Sequence, residues 1–258
     1  GKILACCAIP ESDLVVEADV DVDEDEDTLY PFFRHGGPPD LSYALRATYW
    51  PNIALIPANL GLYDAEYEFA ARMAREKSFV LDRLRHGIET IKDRFDVILL
   101  DPPPALGMLS LSVLRAAEAL VIPAPPNNID FGSTAHFLKM LGATLNELAE
   151  AGGARDYAFV KILATKMNDT KSAHVAIKRM MDAVFPMDML LSVQKDSAEI
   201  DNATANLSTV YELTGAATRT ETHKRCRAYL DAVGREIEIL IRKTWPSHHA
   251  QLRKEGLL

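Results

Sequence analysis

The chain has 258 residues, of which 48% are hydrophobic and 25% charged, and a net charge of −9. No apolar run reaches the roughly 18 residues that a membrane helix needs, and no basic-then-apolar leader opens the sequence, so the composition predicts a cytoplasmic chain with no membrane partner. The three cysteines, Cys6, Cys7 and Cys226, are too few for a disulfide framework or a four-thiolate zinc site and fit a reducing compartment.

In chain order, Ile3 to Ala8 reads as a short apolar strand. Glu17 to Asp27 carries eight acids and no base, the pattern of a solvated, loosely ordered loop over 17–27. Ile53 to Ile56 is a second strand, stopped by Pro57. Helical spacing of apolar and aromatic residues predicts helices over Leu62 to Arg75 and Phe79 to Ile91. Val97 to Leu100 is a buried strand, and Leu109 to Ala117 a helix with Ser110 and Ser112 on its polar side. Leu120 to Ile122 is a strand ending at Pro123, and Phe131 to Glu150 a long helix closed by Gly152 and Gly153. A strand over Phe159 to Leu163, a helix over Ala173 to Val184, a short strand over Met189 to Leu191 and a helix over Ala198 to Asn206 follow. The last helix, over 220–243, lies in a stretch from Arg219 to Lys254 with nine Lys or Arg against four acids. His248 and His249 have no acids or cysteines at metal spacing and read as a frayed tail. Short apolar strands alternating with longer helices imply the α/β class: a mostly parallel twisted sheet flanked by helices on both faces, in a single domain over 1–258.

The stretch FDVILLDPPPALG at 95–107 is the most informative. In a doubly wound sheet, ligands sit outside the carboxyl ends of the strands, and Asp101 is the first residue past such an end. An acid there can hold Mg²⁺, usually through water, and the metal then neutralises phosphate charge. The three prolines fix φ and remove N–H donors, so the loop has little freedom to fold into the site. An exposed turn or capping aspartate with no ligand is the alternative.

Asp101-Pro102-Pro103-Pro104-Ala105-Leu106-Gly107 resembles the Walker B segment of the ParA family of partition ATPases, D-x-P-P-x-L-G. Leu120-Val121-Ile122-Pro123-Ala124-Pro125-Pro126 resembles the family's next strand and loop, and Asp130-Phe131-Gly132-Ser133-Thr134 the opening of its next helix. Ser197-Ala198-Glu199-Ile200, Thr209-Val210-Tyr211-Glu212 and Thr244-Trp245-Pro246-Ser247 are similar to the plasmid branch, closest to the RepA proteins of repABC-type plasmids. The resemblance implies a deviant-Walker P-loop NTPase fold, an ATP and Mg²⁺ site, and a homodimer joined face to face by ATP. It also implies non-specific DNA binding and a ParB/RepB-type centromere-binding partner that triggers hydrolysis. Within it Asp101 is the metal and catalytic residue, and Pro102, Pro103, Pro126 and Asn127 line the nucleotide pocket. Thr165-Lys166-Met167 falls where the family contacts the adenine base. A rigid turn at Pro126-Asn127 and an ordinary polar loop at 165–167 are the alternatives.

The family binds phosphates through a P-loop, K-G-G-x-x-K-[ST], and no such segment occurs in the 258 residues. GKILACCAIPES instead resembles the family's second strand and its D-x-D-P-Q loop, keeping Pro10 but with Cys7 and Ile9 where the aspartates belong. The resemblance thus implies that the first strand, the P-loop and the amino-terminal winged-helix region are missing. The Walker B strand would then lose a neighbour, leaving an unpaired apolar edge, and these residues alone would bind ATP weakly or not at all. A non-catalytic module that binds DNA or a partner is the competing function.

For DNA, Lys195 falls where the family places a basic contact, and a surface lysine is the alternative. At about 100° per residue, Lys224, Arg227, Arg235 and Arg242 share one side of the last helix. Cys226, Tyr229, Val233, Ile237 and Leu240 form its expected packed side.

Overall fold

The first sheet is built from β1 (Ile3–Cys7), β2 (Arg46–Ala47), β3 (Ile53–Ile56) and β4 (Val97–Asp101). Their order is β2-β3-β1-β4, with β1 parallel to both β3 and β4 and β2 antiparallel to β3. The register sets Ile3 against Val97 and Cys7 against Asp101, so the aspartate stands level with the end of β1. A second sheet pairs β5 (Leu120–Ala124) in parallel with β6 (Val160–Ala164).

The computed structural model describes residues 3–7, 25–76, 78–103, 107–150, 156–206, 208–215, 218 and 220–258. Gly1, Lys2, Ile9, Pro10, residues 17–24, Pro104 to Leu106, Gly152, Gly153 and Arg219 lie outside them, as do the side chains of Cys6 and Cys7.

The helices are α1 (Tyr30–Phe33), α2 (Gly61–Glu76), α3 (Ser78–Leu81), α4 (Arg83–Glu89), α5 (Met108–Ala116), α6 (Asn128–Leu148), α7 (Ser172–Val184), α8 (Ala198–Ala205), α9 (Glu221–Lys243) and α10 (His249–Lys254). Parallel strands with helices between them fit the expected α/β class. The chain gathers into two compact units, Gly1–Ala117 with Leu145–Arg155, and Glu118–Thr144 with Asp156–Leu258. A single domain is the reading from sequence; two units result because the strands form two sheets, each with its own apolar cluster. Phe32, Phe33, Phe69, Leu62 and Leu84 centre the first, with Phe33 edge-on to Phe32 at 5.2 Å and to Phe69 at 5.0 Å. Ala124, Ile162, Ala164, Met181 and Met189 centre the second.

Several expectations need correction. As expected of the Walker B strand without its usual neighbour, β4 has β1 as its one strand neighbour among the described residues; what needs correction is its burial. Ile98 and Leu100 pack on the core, but Leu99, which points to the other face, is 53% exposed. The strand is therefore an edge strand and not a buried one. The helix expected over 79–91 is interrupted for one residue at Asp82, which keeps helical dihedrals and whose carbonyl accepts the His86 N–H at 3.0 Å; its carboxylate is taken by Arg115 of α5 at 2.7 Å through both oxygens. Ser110 and Ser112 are buried, because α5 packs against α2, α3 and α4 and keeps no polar side. The strand expected at 189–191 is reduced to a bridge between Ile162 and Met189. Leu190 N–H still donates to the Ile162 carbonyl at 2.9 Å, and the N–H groups of Leu191 and Ser192 then turn to the Glu236 carboxylate at 2.8 and 2.7 Å.

The described end of the acidic stretch is not loosely ordered. Asp25–Asp27 forms a 3-10 turn, Glu26 pairs with Arg34 at 3.0 Å, and Asp27 pairs with Arg46. The tail does not fray either. Leu252 of α10 is fully buried, and Trp245 packs edge-on against His248 at 5.0 Å.

The Asp82–Arg115 pair is largely shielded, with side-chain exposures of 15% and 10%. Asp82→Ala strands the guanidinium and should lower the unfolding free energy by about 2–3 kcal/mol, read by urea titration. A loss under about 0.5 kcal/mol, the range of exposed pairs, would show that the pair holds nothing.

Candidate nucleotide and DNA site

Asp101 closes β4, and Gly107 is the N-cap residue of α5. Glycine has no side chain with which to cap, and Glu66 of α2 supplies one. Its carboxylate accepts the Met108 N–H and, at 2.9 Å, the Leu109 N–H. An acid here satisfies two orphan donors and meets the positive end of the helix dipole. Gly107 is what admits it, since a Cβ at that position would stand 2.2 Å from Glu66 Oε1. Ser110 Oγ donates to the Pro103 carbonyl at 3.3 Å, so the loop after Asp101 is tied at both of its described ends. Asp101 also borders a small apolar void of about 20 Å³ lined by Leu29, Phe33, Leu62, Leu100 and Leu109. The residue is exposed overall, but partial desolvation of its carboxyl raises it above the usual aspartate range, with no basic side chain among the described residues opposing the shift.

Pro126, Asn127, Thr165, Lys166 and Met167 belong to the second unit. The loops after β5 and β6 leave from the same ends of two parallel strands, and Thr165 N–H donates to the Ala124 carbonyl at 3.2 Å. Pro126 is buried, and Asn127 N–H closes a tight turn onto the Pro125 carbonyl at 2.9 Å. Lys166 has φ 51°, a left-handed conformation uncommon for a residue with a Cβ. Gln194 Oε1 holds it there by accepting its N–H at 2.6 Å. Met167 is buried and trades backbone bonds with Gln194 and Asp196 at 3.1 and 3.0 Å. These three residues form a braced corner, with the Lys166 side chain left exposed.

On α9, Lys224, Arg227 and Arg235 are exposed. Lys224 pairs with Glu221 at 2.7 Å, Arg227 lies over the Tyr211 ring at 5.0 Å, and Arg242 is shared by Glu238 at 3.9 Å and Glu255 at 3.4 Å. Lys195 is gripped by both Asp169 oxygens at 2.6 Å and lies 5.8 Å from the Tyr229 ring. Tyr229 is therefore on an open side of α9; His223, Cys226 and Val233 are its buried residues. No helix among the described residues is long and apolar enough to cross a membrane.

A family model described as an AAA domain matches residues 1–150. Protein SopA of Escherichia coli (strain K12) is 31% identical over 191 residues, covering 72% of this chain and 48% of SopA. A protein of Rhizobium rhizogenes named as replication protein A is 27% identical over 252 residues, covering 95% of this chain and 62% of that protein. The chain belongs to the ParA family of AAA domains. It spans about half to three-fifths of the length of these relatives. The solved Cyanothece McdA–ATP complex shares the fold, with a TM-score of 0.70 at 20% identity over 90% of this chain and 85% of that one.

Set against the ParA resemblance, the residues divide by unit. Asp101, Pro102 and Pro103 fall in the first, and the proline turn, the 165–167 corner and all four basic candidates in the second. Glu66 and Gln194, which hold the two corners in shape, carry no signal in the sequence: each is a lone polar residue far along the chain from what it braces.

Burial penalises the charged form of Asp101, so Asp101→Asn should raise the thermal midpoint at pH 7. A raised folded-state pKa gives stability that is fully present below the unfolded value of 3.8 and lost as pH rises through the folded value. The advantage of the asparagine variant should therefore disappear below about pH 4. A midpoint at pH 7 no higher than the parent's would remove burial as the main influence on this group.

Proposed function

We propose that these 258 residues carry the metal-holding side of the nucleotide site of a plasmid-partition protein of the ParA type, and that the phosphate cradle is not among them. In this reading Asp101 takes a Mg²⁺ ion, nucleotide joins two copies face to face, and the dimer holds DNA without regard to sequence. A ParB/RepB-type centromere-binding protein is the partner that triggers hydrolysis. The observation that carries it is the exposed Asp101 carboxylate at the end of a parallel strand, without an opposing cation among the described residues. Such a group fits a hard cation that brings its own waters and shares phosphate oxygens.

The phosphates themselves find less. Residues 1–258 contain no K-G-G-x-x-K-[ST] segment, and a preorganised cradle contributes several kcal/mol to holding phosphate charge, each donor being worth about 3 kcal/mol. These residues fit the metal and not the triphosphate, so no hydrolytic step is assigned to them. Isothermal titration of the 258-residue chain with Mg·ATP should give no measurable heat at micromolar protein. Micromolar affinity or turnover would mean that another segment of the chain serves as the cradle.

The DNA reading rests on three of the exposed bases of α9, Lys224, Arg227 and Arg235. Contacts of this kind reach phosphates, so affinity should be indifferent to base sequence and fall steeply with salt. Lys224→Ala with Arg227→Ala and Arg235→Ala should lower the log–log salt slope on random duplex by roughly one per lost contact. An unchanged slope and affinity would remove α9 and leave Lys195 as the remaining candidate.

A further inference from the structure

Along the second half of α9 runs an open groove of about 550 Å³, bounded on its far side by Glu255 and Leu257 near the chain end. Its α9 wall presents Asp231, Arg235, Glu238 and Arg242. At 100° per residue the four lie within about 60° of one another. Their signs alternate, minus, plus, minus, plus, and their spacings are four, three and four residues. That pattern is a palindrome in spacing and its own opposite in charge. Laid against an identical stripe running the other way, every acid meets a base: Asp231 meets Arg242, and Arg235 meets Glu238, twice each. Laid parallel and in register, every charge meets its like.

The two inner charges are the ones left open. Arg235 is exposed and makes no ion pair among the described residues, although its charge helps hold the Glu255 carboxyl below the usual glutamate range. Glu238 is 64% exposed, and its link to Arg242 is long at 3.9 Å. The outer two are partly engaged at home, Asp231 by the Tyr211 hydroxyl at 2.7 Å and Arg242 by Glu255 at 3.4 Å. Gly234, beside Arg235, adds no side chain to the face and has nothing within 4 Å of where one would stand. A backbone could therefore approach closely there. Arg235 also belongs to the DNA reading above, so a second copy docked on this face would compete with phosphate for it.

We propose that this stripe is a self-recognition surface, on which a second copy of the chain docks with its α9 antiparallel about a two-fold axis between Glu236 and Ile237. The contact is isologous. It needs no nucleotide, so it stands or falls separately from the ATP-joined dimer. The area of one helix face puts it at the weak, transient end of protein interfaces, and its charges make it salt-sensitive.

The test is sedimentation velocity on the full 258-residue chain without nucleotide, over about 10–300 µM protein at low and high salt, a range suited to contacts of this size. A concentration-dependent dimer that dissociates in high salt is expected. Arg235→Glu and Glu238→Arg each set two like pairs against one another and should weaken it about tenfold or more. An equimolar mixture of the two single variants places opposite charges at both positions and should restore the dimer, as should the double variant. Restoration in the mixture also shows that the single variants are folded. A parent that stays monomeric throughout, single reversals without effect, or a mixture that fails to re-form the dimer each overturns the proposal. So does the case in which the reversals alter retention on duplex DNA and leave self-association unchanged, which would make phosphate the occupant.

Discussion

The carboxylate of Glu66 on the first turn of α5 is the contact on which the first unit depends. It stands in for the side-chain cap that Gly107 lacks, and caps of this kind are worth about 1–2 kcal/mol. Its larger effect is geometric. Glu66 sits on α2, and Leu62 of α2 and Leu109 of α5 belong to the same apolar cluster. One polar grip and one apolar contact therefore fix α5 against α2. With α5 fixed, the loop from Asp101 has a set exit at Gly107, and the Ser110–Pro103 bond sets its path near the start. Gly107 and Glu66 are consequently one feature: any larger residue at 107 expels the carboxylate.

The second unit uses the same device. Glu236 of α9 accepts two successive N–H groups, from Leu191 and Ser192. This holds the segment after α7 beside β6, where Gln194 N–H reaches the Ala164 carbonyl at 2.9 Å. Gln194 in turn keeps Lys166 in its left-handed conformation. The 165–167 corner is thus set by a helix some seventy residues further along the chain. In both units a carboxylate on a helix positions the loop at a strand's carboxyl end, which is where ligands bind in sheets of this class.

Much of the fold was legible because apolar runs and helical spacing are local. β1, β3, β4, α2, α7 and α9 lie within a residue or two of where periodicity puts them. The misses have a common origin in partners distant along the chain. Ser110 and Ser112 are buried because three helices surround α5, and the strand at 189 stops because Glu236 intercepts its donors. The four-residue α1 and two-residue β2 are too short for any period to show. At the site, Asp101 was readable from its position after an apolar run and before prolines. The residues that hold its loop were not, since a single glutamate on an amphipathic helix looks like any solvated acid.

Charge shows the same limit of local reading. The stretch from Arg219 to Lys254 holds nine bases and four acids, which as a sum suggests a strongly basic surface. Pairing lowers it: within the stretch Lys224 has Glu221 and Arg242 has Glu238 and Glu255, and outside it Lys195 has Asp169. On the proposed DNA reading, the affinity from the handful of phosphate contacts that one helix face can make is low at physiological salt. Joining two copies changes this without adding a base. The second set of contacts becomes effectively intramolecular, so the affinity of the pair greatly exceeds that of either copy. On that reading, a chain of net charge −9 holds DNA better as a pair than as a single copy, which would tie DNA binding to whatever governs association.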